Sequence, residues 1–154
     1  VNVKDYPFKT LRSKIGTVPQ NAALISGTIA DNLRWGNENA TLDDMKRAAK
    51  TAQALEFIEK LPNGFDSPVL QAGKNLSGGQ KQRLTIARAL TGSPEILILD
   101  DSASALDFAT DAALRRAIKR DTKDMTVIIV SQRRHDTRFR RRQNSRHRHA
   151  RQTL

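Results

Sequence analysis

Apolar residues recur along this chain at two spacings, and each spacing predicts one kind of secondary structure. Helical spacing follows Ser77, and it follows Asp107 as far as about Asp121. Short apolar runs bounded by polar and turn residues predict three strands, at Leu11 to Gln20, Glu95 to Leu99 and Met125 to Val130. Strand, helix and strand in succession predict a βαβ crossover and therefore a parallel sheet whose later strands are buried.

A longer helical pattern lies in the middle of the chain. Thr41 stands before the acidic pair Asp43 and Asp44, which is typical of a capped helix start. One apolar stripe follows and predicts a single helix that ends at Pro62-Asn63-Gly64; its members are Met45, Ala48, Ala49, Ala52, Leu55 and Ile58. The next stretch, Phe65 to Lys74, is predicted to be a loop.

The helix start at Ser77 has the composition of an anion site. Ser77 and Gln80 have the S-x-x-Q spacing of a capping box, in which each side chain bonds to the backbone N–H of the other residue. Gly78 and Gly79 have no Cβ atom, so they leave the first-turn amides uncovered. Uncovered amides at the positive end of a helix dipole can hold an anion such as phosphate. The alternative is an ordinary capped surface helix with a glycine-rich start.

Two carboxylates follow the second predicted strand. Asp100 and Asp101 come directly after the apolar run that ends at Leu99. Such a run predicts a buried parallel strand, and open α/β sheets bind ligands at the carboxyl ends of their strands. The pattern therefore places both acids at the edge where a ligand would lie.

Three segments together resemble the ATP-binding-cassette (ABC) transporter ATPases. Leu76 to Gln80 resembles the signature motif of that family, the strand ending in Asp100 and Asp101 its Walker B strand, and Ser104 to Asp107 its D-loop. The stretch Leu24 to Leu33 resembles the cassettes of exporters, the transporters that carry drugs or lipids out of the cell. The resemblance implies an α/β fold with a P-loop NTPase-like parallel sheet and an inserted small helical subdomain.

The resemblance also implies a division of the chain. Residues 1–132 are expected to be a partial nucleotide-binding domain, incomplete at its N-terminus, with the helical subdomain at about residues 26–90. The family's phosphate-binding loop (Walker A), G-x-x-x-x-G-K-[ST], is expected to precede residue 1, because the one Gly-Lys pair of the chain, Gly73-Lys74, is followed by Asn75. For this reason the isolated chain is expected to be inactive as an ATPase.

Family roles are carried over to individual positions through the resemblance. Asp100 matches the carboxylate on the magnesium side, and Gln20 matches the Q-loop glutamine, whose amide oxygen can ligate magnesium or orient water. Asp101 stands where competent sites carry glutamate, and Gln132 stands where they carry a histidine that contacts the γ-phosphate. The residues implied for contact with ATP held by a partner are Leu76, Ser77, Gly78, Gly79, Gln80 and Asp107. The implied cofactors are ATP and Mg²⁺.

Asp101 and Gln132 both depart from the family in a direction that weakens catalysis. Aspartate is one methylene shorter than glutamate, and a general base must come within hydrogen-bond distance of its water. An amide at position 132 cannot carry a positive charge to the phosphate. Cassettes of this family pair head to tail, so one subunit's signature completes the other subunit's site.

The chain is therefore expected to be the degenerate partner of a heterodimer. Its expected partners are a second nucleotide-binding domain and the transmembrane domain of an exporter, and association with that domain would hold it at the cytoplasmic face of the cell membrane. Two alternatives remain open: drift in a damaged gene, and a truncated, non-catalytic interaction fragment.

The net charge of +11 comes mainly from the end of the chain. Residues 133–154 hold nine arginines and one aspartate, whereas residues 1–132 hold 18 basic and 15 acidic residues. This Arg-rich tail is expected to be disordered. It either binds nucleic acid or acidic lipid, or is a frame-shifted or chimaeric end without a selected function. Phe139 is the tail's one aromatic residue, so nucleic acid is not an expected partner.

Other features of the composition exclude several classes of protein. The chain has no cysteine, which excludes disulfides and thiolate metal sites. It has no apolar run of about 18 residues that would predict a membrane span. Its first residues, Val1 to Asp5, lack the pattern of a signal peptide.

Overall fold

Six helices and five strands make up the part of the chain that is described. A computed structural model describes residues 6–101 and 105–130. The helices there are α1 (Phe8–Ser13), α2 (Ile29–Arg34), α3 (Leu42–Thr51), α4 (Leu55–Glu59), α5 (Gly78–Thr91) and α6 (Phe108–Asp121). The strands are β1 (Ile15–Val18), β2 (Gly27–Thr28), β3 (Pro68–Val69), β4 (Ile96–Asp100) and β5 (Thr126–Val130).

Three parallel strands form the main sheet, in the order β1-β4-β5. Strand β4 lies in the middle, where Leu99 pairs with Val18 on one side and with Ile129 on the other. The parallel sheet and the βαβ crossover through α6 are therefore confirmed. Because all three strands run the same way, their carboxyl ends meet at one edge of the sheet.

The prediction that the last strand is buried is wrong. Ile128 and Val130 remain 37% and 48% exposed, although Leu97 and Leu99 of β4 are buried. The reason is position: among the described strands β5 has a neighbour on one side alone, while β4 is covered on both sides. Apolar sequence predicted the strand correctly but could not show its place in the sheet.

The first strand is shorter than its apolar run. Leu11 to Ser13, predicted as strand, belong to α1, which Pro7 precedes at φ −57°. The Leu11 N–H donates to the Pro7 carbonyl at 3.0 Å, which closes the first helical turn. Pairing with β4 begins only at Ile15, and proline at a helix start is favourable because its φ is already helical.

The single long helix predicted after Thr41 is two helices. Its start is confirmed, since the Thr41 and Asp44 side chains form a capping box. The helix ends after Thr51 because Gln53 adopts a left-handed φ of 58°. The Gln53 N–H donates to Lys50 O (3.1 Å), and the Ala54 N–H donates to Ala49 O (2.7 Å). These two bonds make a Schellman motif. Glycine commonly occupies the left-handed position of this motif, so the glutamine at position 53 gave no signal in the sequence.

The stretch predicted as a loop, Phe65 to Lys74, is partly regular. Its strand β3 pairs antiparallel with β2, and short 3₁₀ turns cover Gly64–Asp66 and Gln71–Gly73. A two-residue strand is too short to leave a hydrophobic period in the sequence.

The core lies around α5, which packs against α2, α3 and β1. Leu84, Ile86 and Ala87 of this helix are fully buried. This packing fixes both the start of α5 and the strands beside it. The boundaries of the predicted domains stay predictions, and Ser104, Gln132 and the Arg-rich tail lie outside the described residues. None of the described helices is both long enough and apolar enough to span a bilayer.

Candidate functional site

The start of α5 is a complete capping box, as the sequence predicts. The Gln80 N–H donates to Ser77 Oγ at 3.2 Å, and the Ser77 N–H donates to Gln80 Oε1 at 2.9 Å. The two bonds satisfy amides that a helix start otherwise leaves without partners. Leu76, immediately before the cap, is buried and anchors the start of the helix in the core.

Gly78 and Gly79 make the first turn of α5 accessible in different ways. A Cβ atom on Gly78 would meet no atom within 4 Å, so this position faces open space. A Cβ atom on Gly79 would lie 3.4 Å from Ala105 O and 3.8 Å from Leu106 Cδ2. The structure thus brings the second glycine next to the segment that leads to Asp107.

The segment before Ser77 is held by a side chain that the sequence analysis did not single out. Asn75 Oδ1 accepts a hydrogen bond from the Leu70 N–H (2.9 Å), and Asn75 Nδ2 donates to Pro68 O (2.8 Å). These bonds bridge from β3 to the residue two positions before the cap. Asparagine is common in such loops, because its amide imitates a backbone turn, so its presence alone carried little signal.

Asp100 and Asp101 lie at the carboxyl end of β4, as predicted. Asp100 is the exposed last residue of the strand, and Asp101 turns the chain away at φ 43°. The Asp101 N–H donates to Val130 O at 2.9 Å, which ties this turn to β5. A left-handed φ is rare outside glycine, but aspartate tolerates it better than most residues.

Gln20 and Asp101, which are 81 positions apart in the sequence, are brought together by the fold. Gln20 follows β1, and its Nε2 donates a hydrogen bond to Asp101 Oδ2 at 3.3 Å. The bond uses the nitrogen of the amide, and Gln20 Oε1 makes no hydrogen bond to residues 6–101 or 105–130. An amide oxygen beside the carboxylates of Asp100 and Asp101 offers the ligand type that Mg²⁺ prefers.

These oxygens would fill part of a magnesium shell. Within residues 6–101 and 105–130, no group of three or more His, Cys, Asp or Glu residues is arranged to hold a metal ion. Magnesium is commonly held by one or two carboxylates together with waters and the phosphates of a nucleotide. The donors at this edge therefore fit an ion that arrives with a nucleotide.

Asp107 caps α6 and is strongly hydrogen-bonded. Its carboxylate accepts from Thr110 Oγ1 (2.6 Å) and from the Thr110 N–H (2.9 Å). These bonds, with the side-chain bond first, hold the pKa of Asp107 below its ordinary value. The residue is therefore an ionised helix cap at neutral pH, beside the residues that contact Gly79.

Arg83 is a second residue that the sequence patterns did not single out. Its side chain donates to backbone carbonyls of Gly79 and Gln53 and lies over the ring of Phe57. An arginine one turn after a helix start is unremarkable in a sequence. Only the fold shows that it connects separate helices.

Two predicted groups of site residues are not linked by hydrogen bonds within the described part of the chain. There, no hydrogen bond joins Ser77 or Gln80 to the group formed by Gln20, Asp100 and Asp101. Gln132 lies outside the described residues.

Comparison with known proteins adds independent findings. A sequence model of the ABC transporter family matches residues 1–104. Over 130 residues the chain is 55% identical to the uncharacterized ABC transporter ATP-binding protein YfiB of Bacillus subtilis (strain 168). This alignment covers 84% of the chain and 22% of YfiB. Over 133 residues the chain is 41% identical to ABC transporter B family member 21 of Arabidopsis thaliana. That alignment covers 86% of the chain and 10% of the Arabidopsis protein.

The fold also matches a solved structure. A bacterial Atm1-family ABC exporter with ATP bound superposes with a TM-score of 0.77 at 38% sequence identity. The match covers 81% of this chain and 22% of that chain. The chain thus spans about a fifth of the length of the bacterial proteins that it matches.

Proposed function

Because this chain belongs to the ABC transporter family, we propose that it carries the signature-bearing part of an ATP-binding cassette that energises a membrane exporter. The observation that carries the proposal is the start of α5. Its capping box holds Ser77 and Gln80 in place, while Gly78 opens onto free space. A helix start of this kind binds phosphate oxygens through backbone amides and the helix dipole.

The phosphates that this helix start contacts belong to a nucleotide on a second cassette. The open position at Gly78 supports this assignment, because a group from outside the chain can reach the first-turn amides there. In head-to-tail pairing, Leu76, Ser77, Gly78, Gly79 and Gln80 complete the partner's site and Asp107 lies beside them.

The chain's own carboxylate edge is the weaker half of the pair. Asp101 is hydrogen-bonded by Gln20 and sits in a tight turn, so its short side chain has little freedom to reach toward a water. Gln132 cannot supply a charged contact to a phosphate. With ATP and Mg²⁺ as cofactors, Asp100 and Gln20 hold the metal side, and turnover at this edge is slow.

The exporter's transmembrane domain is the second proposed partner, and it holds the cassette at the cytoplasmic face of the membrane. The names of the relatives, which call them ABC transporters, support association with a transporter. A non-catalytic interaction fragment is the second candidate function, favoured by the short carboxylate of Asp101 and its hydrogen bond from Gln20. Such a fragment would dock on a partner cassette without supporting turnover.

Docking is tested by sedimentation of the chain with a purified exporter nucleotide-binding domain that binds ATP but hydrolyses it slowly. We expect a complex in the presence of Mg-ATP and none without nucleotide. Gly78→Leu should abolish the complex, because the new side chain covers the first-turn amides, yet it should leave the fold intact because the position is open. Lys46→Leu, which adds the same side chain to an exposed position of α3, is the control.

Two results would contradict the proposal: no complex under any condition, or a complex that forms without ATP and tolerates Gly78→Leu. The fragment alternative predicts docking together with no stimulation of hydrolysis when the partner is fully competent. The proposed signature function predicts that hydrolysis by the competent partner rises on docking.

A further inference from the structure

The Arg83 side chain joins the start of α5 to two other helices. Its Nε donates a hydrogen bond to Gly79 O at 3.3 Å, and its Nη1 donates to Gln53 O at 2.9 Å. Its guanidinium carbon lies 5.0 Å from the centroid of the Phe57 ring in α4. One side chain therefore contacts the glycine turn of α5, the end of α3 and the face of α4.

The Gln53 carbonyl lies in the left-handed turn just past the end of α3. The Arg83 guanidinium gives this carbonyl a charged donor, and such bonds are stronger than those between neutral groups. The position of the α5 start is thereby linked to the place where α3 ends.

Two acidic residues offset part of the effect of burial on the Arg83 guanidinium. Burial lowers the pKa of Arg83, and attraction to Asp107 and then Glu56 opposes that shift. A half-buried cation needs such compensation, or it would move toward water. Since Asp107 follows the residues that contact Gly79, the glycine lies between Arg83 and the segment that leads into α6.

We propose that Arg83 is a positioning residue, which fixes the first turn of α5 so that Ser77 and the amides of Gly78 and Gly79 meet the partner's nucleotide in a productive geometry. The inference rests on the proposed function. The positioning role requires the planar guanidinium of arginine, which can bond two separate carbonyls and stack on an aromatic ring at once. Lysine keeps the charge but offers one compact donor group, so it cannot hold both carbonyls.

The test is steady-state ATP hydrolysis by a reconstituted transporter that carries this sequence beside a competent cassette. Arg83→Lys should lower kcat by about tenfold to a hundredfold, the scale of a displacement of about 1 Å in a positioned group. KM for ATP should stay the same, because the partner holds the nucleotide. Added to Ser77→Ala, the substitution should cost little more, because both residues act through one helix start.

Arg88→Lys is the matched control. Arg88 lies on the same helix and is also partly buried, but within the described residues its side chain makes no hydrogen bond or ion pair. It should therefore keep wild-type kcat. The thermal midpoints of both lysine variants should be compared first, so that a loss of folded protein is not counted as a loss of rate.

The outcomes separate the inference from the proposed function. Full turnover in Ser77→Ala overturns the proposed function and this inference with it. If Ser77→Ala loses turnover while Arg83→Lys keeps wild-type kcat, only the positioning role is overturned. Losses that multiply in the double variant, or an equal loss in Arg88→Lys, also overturn the positioning role and leave the function standing.

A second variant covers the case in which Arg83→Lys does not fold. Phe57→Leu removes the ring beneath the guanidinium and keeps both hydrogen-bond acceptors. Cation–π contacts at partly exposed sites are worth a factor of about two to five. We expect Phe57→Leu alone to lower kcat by about that factor. When Phe57→Leu is added to Ser77→Ala, kcat should stay that of Ser77→Ala. A further loss of the same factor in the double variant would overturn the positioning role.

Discussion

Asp101 shows how a side chain whose position is predictable from local sequence can be held by a contact that is not. Its backbone is in the left-handed region, and its N–H and carboxylate are both engaged, by Val130 O and by Gln20. The sequence predicted the position of this carboxylate, because a strand followed by acids is a strong local pattern. It could not predict the bond from Gln20, which is formed by a residue 81 positions away.

A residue-scale prediction concerns Asp44, which caps α3. Its carboxylate accepts from Thr41 Oγ1 (2.6 Å) and from the Thr41 N–H (2.9 Å), and these bonds hold its pKa below the ordinary value. Because the pKa of Asp44 is lower in the folded than in the unfolded protein, its ionised form stabilises the fold. This contribution is fully present above the unfolded-state pKa, about 3.9, and is lost as pH falls through the folded-state pKa. Asp44→Asn should therefore lower the thermal midpoint at pH 7, and the difference should shrink toward zero near pH 3.

Asp43→Asn is the control for this experiment. Asp43 lies in the same turn and, within the described residues, its side chain makes no hydrogen bond. Its substitution should change the midpoint less at pH 7. A difference for Asp44→Asn that stays constant between pH 7 and pH 3 would show that the carboxylate's charge is not what stabilises the cap.

At the scale of elements, two helix starts were predicted from capping-box patterns and one helix end was not predicted. Thr41 and Ser77 both begin helices through capping boxes, which are patterns of four adjacent residues. The end of α3 depends on the left-handed conformation of Gln53, a residue type that usually continues a helix. The apolar stripe ran on past this point, because Leu55 and Ile58 face the same core from α4.

Gln53 provides the prediction at this scale. Its φ of 58° strains a residue with a Cβ atom and does not strain glycine. Gln53→Gly should raise the free energy of unfolding by up to about 1 kcal/mol, measured by urea denaturation of the chain. Lys50→Gly, in the last turn of the same helix, should lower it by about 1 kcal/mol. A lower stability for Gln53→Gly would mean that its side-chain bond to Lys50 O outweighs the backbone strain.

At the scale of the whole molecule, the sequence predicted which chemical groups are present better than how they are distributed. The parallel sheet, the capped helix start and the acids after β4 follow from local patterns. The position of the helix start relative to the carboxylate edge does not, because it depends on how α5 packs on α2, α3 and β1. The proposed function assigns the two groups to different nucleotide sites.

The most direct test of this division of labour is ATP hydrolysis by the reconstituted transporter with Ser77→Ala or Asp101→Ala in this chain. Ser77→Ala should lower kcat by about 10²–10³, the usual cost of losing one preorganised donor to developing charge. Asp101→Ala should change kcat by less than about tenfold, because its site already lacks the usual glutamate and histidine. Loss of turnover in Asp101→Ala together with normal turnover in Ser77→Ala would contradict the account.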